Sequence, residues 1–250
     1  MLVNKSGFAA IIKVETPQVI VMHCILHRHV QAVKTLPNGL KDVMSTAIQV
    51  VNFIWAPATD HRLFKVLCQD IGFLHNVLLY YTEVRWLSRG QALSRPIELH
   101  TDVAMFLQEK MNALCMEFDS QQFVLALAYL ADSFSYLNDL NISIQEPNKT
   151  ILDAAENLKS FLEKLPFWMR RVQNNNVANF AGLEEILSCQ GIKRDVPTAL
   201  KDHILIHLRT LQTSFDNYFG SEVLQQNVWV RNPFSVNVDS LDDEDLPRMI

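Results

Sequence analysis

The chain has 250 residues, enough for one large domain or two small ones. Apolar residues make up 49%, which excludes a disordered chain. The net charge of −5 (22 basic, 27 acidic) excludes a bulk electrostatic grip on nucleic acid and leaves only local basic patches for that purpose.

Residues 1–13 are expected to form a short helix, capped by Ser6, with Phe8, Ile11 and Ile12 on one face. Val19-Ile-Val-Met22 is a continuous apolar run after Pro17 and reads as a buried strand. It ends at His23-Cys-Ile-Leu-His-Arg-His29, and ends of buried strands are where α/β sheets place their chemistry. Four metal-ligand types, His23, Cys24, His27 and His29, fall within seven residues there. The spacing Cys24-x-x-His27 could supply half of a zinc site. No second pair stands at metal spacing, because Cys68, Cys115 and Cys189 are isolated. Cys24 therefore reads as a small buried residue and His27 as a hydrogen-bonded structural one, and no metal or other cofactor is expected. The spread of the cysteines points to free thiols in a reduced, intracellular setting.

From residue 40 the periodicity turns helical. Leu40, Val43, Met44, Ala47, Val50, Val51 and Ile54 recur at helical spacing, and Pro57 stops that helix. Leu63, Phe64, Val66, Leu67 and Ile71 make another. Leu78–Val84 is rich in strand formers and too short for a helix of its own. It leads into Arg85-Trp86, with Arg89 and Arg95 following, so that three guanidinium groups fall within eleven residues. Arginine grips phosphate in a bidentate fork, and an indole offers a face for a base to stack on. From composition alone the favoured reading is the plainer one, with Trp86 a core residue and the arginines solvated or paired.

Ile97, Val103, Met105, Phe106 and Leu107 continue a helix that Pro96 kinks or opens. Phe123 to Leu140 is a strongly apolar helix. Thr150 to Leu165 is amphipathic, capped by Asn148 or Thr150 and ended by Pro166. Asn174-Asn-Asn176 reads as a loop, and Leu183 to Leu187 as a short helix. Pro197 to Phe219 is the last long helix, with His207 in step with its leucines and Gly220 as the stop. Val228–Val230 is a possible strand, and the five acids in seven residues from Asp239 to Asp245 read as a solvated loop. Both ends look cut, around a bundle of about seven helices.

Several segments carry a family resemblance: Asn4-Lys-Ser-Gly-Phe8, His23-Cys-Ile-Leu-His-Arg28, Val50-Val-Asn-Phe-Ile54, Arg62-Leu-Phe64, Thr82-Glu-Val-Arg-Trp-Leu-Ser-Arg-Gly90 and Phe234-Ser-Val-Asn237. Together they resemble the middle of a hAT-superfamily transposase, nearest the domesticated vertebrate group of BED-type zinc-finger, SCAN-domain and general transcription factor II-I repeat-containing proteins. The resemblance implies a mainly α chain: a partial ribonuclease-H-like α/β core remnant interrupted by a large all-helical insertion. On this reading 1–39 is the core remnant, 40–77 a helical segment and 78–90 the strand with the Arg-Trp motif. The helical insertion is 91–227, and 228–250 is a return strand with an acidic tail.

The family's chemistry uses two Asp and one Glu to hold two metal ions. In the family one Asp lies just before the Asn-Lys-Ser-Gly-Phe segment, another further upstream, and the Glu beyond the insertion. None of the three falls on a residue of this sequence, and neither the BED zinc finger nor the dimerisation segment is present. What transfers is limited to Cys24 and His27 onto the family's Cys-x-x-His, and Arg85 and Trp86 onto its Arg-Trp; beside them, the residues themselves offer Arg89 as a further phosphate contact. The expectation is a catalytically inactive, nuclear, DNA-binding or protein-interacting derivative. The alternative is part of an active transposase whose acids lie outside this sequence.

Overall fold

The computed structural model describes residues 8–16, 34, 36–55, 62, 93, 96–147, 149–189 and 195–225. Within them the helices are α1 (Phe8–Glu15), α2 (Asn38–Trp55), α3 (His100–Glu109), α4 (Cys115–Phe118), α5 (Gln121–Gln145), α6 (Ile151–Gln173), α7 (Ala181–Cys189) and α8 (Thr198–Gln225). No strand occurs among the described residues. The mainly helical expectation holds. The expected strands at 19–22, 78–84 and 228–230, and with them the ribonuclease-H-like remnant, lie outside the described residues.

Helix α5 is the axis of the bundle. Every residue from Phe123 to Ala131 is buried, so this stretch has no solvent face. A helix apolar all round must be enclosed on every side. The enclosing elements are α2, α4, α6, α7 and α8, all of which pack on α5. Helices α6 and α8 also pack extensively on each other. Each fully buried Leu or Phe in this core contributes roughly 1.5–3 kcal/mol before the entropy of ordering is subtracted.

The helix ends are chemically defined. The Ser120 hydroxyl accepts from the Phe123 N–H and caps α5. Of the two caps open for α6, Thr150 serves: its hydroxyl accepts from the Asp153 N–H at 3.2 Å, and the Asp153 carboxylate accepts from the Thr150 N–H at 2.8 Å. This is a capping box with Asp in the third helical position. Helices α3 and α6 both close with a six-to-one backbone bond. Asn112 N–H reaches the Leu107 carbonyl, and Asn176 N–H reaches the Arg171 carbonyl, each at 2.9 Å. The left-handed residues this requires are Met111 (φ 49°) and Asn175 (φ 55°).

Two expected helix ends are corrected. Pro166 does not end α6, which runs on to Gln173. Phe161 and Leu165 before the proline and Trp168 and Val172 after it are all buried, and this shared apolar face outweighs the roughly 3 kcal/mol cost of an interior proline. Pro166 itself is exposed, where water can take the hydrogen bond its missing N–H leaves. Gly220 does not stop α8, which continues to Gln225. An interior glycine costs only about 1 kcal/mol, and the buried Phe215 and Phe219, stacked 5.7 Å apart, anchor the turn before it.

Polar groups inside the bundle join helices. The Tyr129 hydroxyl of α5 bonds His207 Nδ1 of α8 at 2.8 Å, with both side chains fully enclosed. Burial pushes the Tyr129 phenol well up, opposed in part by the Ser133 hydroxyl one turn on. Burial lowers His207 from 6.5 to about 4, so the imidazole is neutral at pH 7. The Asp132 carboxylate of α5 accepts from Gly182 N–H (3.2 Å) and Leu183 N–H (3.1 Å), capping α7 from a neighbouring helix. Burial raises its carboxyl above the ordinary range, and the two N–H groups offset part of that rise. At Gly39 a Cβ would lie 2.4 Å from His203 Cε1, so any larger residue there would displace the His203 ring of α8.

Two outcomes follow from these contacts. Unfolded chains protonate histidine near 6.5, whereas folded His207 resists protonation down to about 4. Stability therefore falls as pH drops through that window, by about 3 kcal/mol at its lower end. Urea midpoints measured between pH 7 and 4 should show this decline, and His207→Leu should flatten it while costing about 1–3 kcal/mol at pH 7 by stranding the Tyr129 hydroxyl. Asp132→Ala should cost about 1–2 kcal/mol by leaving the start of α7 uncapped, and Asp132→Asn, which keeps one acceptor, should cost less in the same melts.

Candidate functional site

The residues singled out by sequence, Cys24 and His27, Arg85, Trp86 and Arg89, all lie outside the described residues. Among the described residues, no group of three or more His, Cys, Asp or Glu side chains is arranged to hold a metal ion. No described helix is long and apolar enough to cross a membrane. The described surface offers three features.

The first is the carboxyl-terminal third of α6. Phe167 is 41% exposed although it is a phenylalanine, while its neighbour Trp168 is 4% exposed. Trp168 packs against Phe161, Tyr136 and Phe180, and so faces the core. A helix turns 100° per residue, which places Phe167 on the outside with Lys164, Arg170 and Arg171. The guanidinium carbons of Arg170 and Arg171 lie 5.7 and 5.4 Å from the centre of the Phe167 ring. Both distances are within cation–π range. From Glu163 to Glu184 the sequence contains no other acid and three cations. The end of the helix is fixed. Arg171 Nη2 donates to Asn176 Oδ1 at 2.8 Å, and Lys201 Nζ of α8 donates to the Gln173 carbonyl at 2.7 Å and to Asn175 Oδ1 at 3.0 Å.

The second is a cavity of about 290 Å³ where the starts of α2, α5 and α8 converge. Gly39 and Asp42, Ser120 and Phe123, and Leu200 and His203 line it. Glu117 also borders it and accepts a hydrogen bond from the Thr46 hydroxyl at 3.0 Å. Its two carboxylates offset the positive helix ends. The third is the corner between α3 and α4, where Met111 and Met116 are 94% and 88% exposed.

The architecture is that of a helical bundle domain without a described catalytic constellation. Residues 23–173 match the FAM200/GTF2IRD2 helical domain, and the chain belongs to that family. It is 28% identical over 222 residues to a Bos taurus protein, "General transcription factor II-I repeat domain-containing protein 2". That alignment covers 88% of this chain and 22% of the relative, so the chain spans about a fifth of that protein's length. No solved structure matches. At the level of family, this agrees with the domesticated, transposase-like group that the sequence resembles.

Sequence reasoning passed over Phe167 and its arginines because the expected helix ended at Pro166. The signal was present: a Phe-Trp pair cannot bury both rings on one helix face, and Arg at three and four residues after Phe is contact spacing. The opposite fates of the pair are measurable. Trp168→Ala should cost about 3–5 kcal/mol in chemical denaturation, whereas Phe167→Ala should stay within about 1 kcal/mol.

Proposed function

We propose that this chain is a non-catalytic binding module derived from a hAT-type DNA transposase, acting in the nucleus as a DNA-binding or protein-interaction scaffold. The observation that carries this reading is the family match over residues 23–173, whose family is described as a helical domain. The packing supports it. Tyr129, His207 and the partly buried Asp132 each serve to join one helix to another. A relative named for its transcription factor II-I repeats favours a nuclear, regulatory setting. Within this reading Arg85 and Arg89 hold phosphate and Trp86 stacks on a base near a DNA end. Cys24 and His27 then form a structural motif beside that contact.

The competing reading is a segment of an active transposase, and the relative's much greater length leaves room for the acids elsewhere in a longer protein. Chemistry separates the two. Purified protein with magnesium or manganese should neither nick nor join a DNA hairpin, and cleavage lost on mutating this chain would refute the non-catalytic reading. Trp86→Ala should weaken binding of a hairpin end by on the order of 1–3 kcal/mol while leaving the melting temperature unchanged. A stability loss of about 3–5 kcal/mol with no specific change in binding would assign Trp86 to the core instead.

A further inference from the structure

We infer that the exposed face of α6 formed by Lys164, Phe167, Arg170 and Arg171 docks a short acidic peptide segment carrying an apolar side chain. The inference rests on the binding-module reading and names the chemistry of one partner. These four residues fall at helical contact spacing and form a single stripe about 10 Å long at 1.5 Å per residue. Lys164, Phe167 and Arg170 are exposed, and Arg171 is half-buried.

Three properties distinguish this stripe from an ordinary solvated face. First, none of its three cations pairs with a carboxylate among the described residues, whereas Lys149, before the start of the same helix, pairs with Glu146 at 3.4 Å. Among the described residues, a side-chain bond from the stripe runs from Arg171 to the Asn176 amide oxygen at 2.8 Å. Second, the Phe167 ring holds both guanidinium groups within 6 Å of its centre. Stacking on the ring restricts them, so less freedom is lost when they meet a carboxylate fork. Third, the helix end beneath them is fastened to α8 through Lys201. The neighbouring acids are Glu163, one turn back, and Asp195, which accepts from Asn175 at 3.2 Å.

Size and charge select the partner. Three cations over about 10 Å match a few carboxylates, each able to take an arginine fork. A long polyanion would extend past the stripe and meet a chain whose net charge is −5. The half-exposed Phe167 ring provides an apolar anchor beside the charges, which an acidic peptide with a leucine can use.

The test is fluorescence anisotropy on the full chain, with a labelled synthetic peptide Asp-Asp-Leu-Asp-Glu-Leu-Asp-Asp and, in a second arm, labelled oligothymidine. The peptide should bind saturably and weaken with added salt. Arg170→Glu should reduce its affinity roughly tenfold. Phe167→Ala should reduce it at every salt concentration without moving the melting temperature. Lys149→Glu, the same charge change just before the start of α6, should leave it intact. Absence of saturable peptide binding, or an equal loss with Lys149→Glu, overturns the inference. Tighter binding of oligothymidine that disappears with Arg170→Glu also overturns it and assigns the stripe to nucleic acid. None of these failures touches the binding-module reading, which stands or falls on the metal-dependent cleavage and Trp86 experiments.

Discussion

The fold depends on one constraint: helix α5 is enclosed on all sides from Phe123 to Ala131. No single neighbour can cover such a helix, so five others pack on it. Burying a polar group without a partner is costly, so the placement of its partner constrains the neighbouring helix. Tyr129 finds His207 on α8, and Asp132 finds two free N–H groups at the start of α7. These contacts are specific in a way that apolar burial is not. Leucines slide and repack at small cost, whereas a rotation of α8 that parted Tyr129 from His207 would strand two buried polar groups.

An aromatic network extends this organisation. Trp168 of α6 touches Tyr136 of α5 and Phe180 ahead of α7, and Phe161 bridges to Phe215 of α8. The rings meet edge-on or tilted, the arrangements their quadrupoles favour. Because Trp168 is committed to this network, the residue before it is forced outward. The surface stripe of Phe167 and its arginines is thus a by-product of core packing that the adjacent cations make chemically useful. The same enclosure explains why Pro166 is tolerated: buried residues on both sides hold the helix across it.

The bundle and the residues singled out by sequence lie in different parts of the chain. The segments around Cys24 and Trp86 lie outside the described residues, whereas the described helices α2, α4, α6, α7 and α8 pack around α5. A body of this kind has few degrees of freedom for chemistry but a large rigid surface. Rigid helix faces position side chains for recognition more closely than loops do.

The sequence alone determined the helical character of the chain and the positions of most helices. Leu40 to Ile54, Phe123 to Leu140 and Leu200 to Phe219 announce their helices by spacing, and Thr150 announces a cap by the acid three residues on. These are local signals, set within a turn or two of chain. Pro166 and Gly220 misled for the same reason: as local signals they read as stops, and only burial against α5 and α8 overrides them. His207 was legible as a member of an apolar stripe, but its bond to Tyr129 joins residues 78 apart in the chain, and Asp132 caps a helix 50 residues away. Pairings at that distance have no periodicity to betray them. They were decided by tertiary structure, because only packing around α5 determines which buried polar atoms face each other and which side chains remain outside.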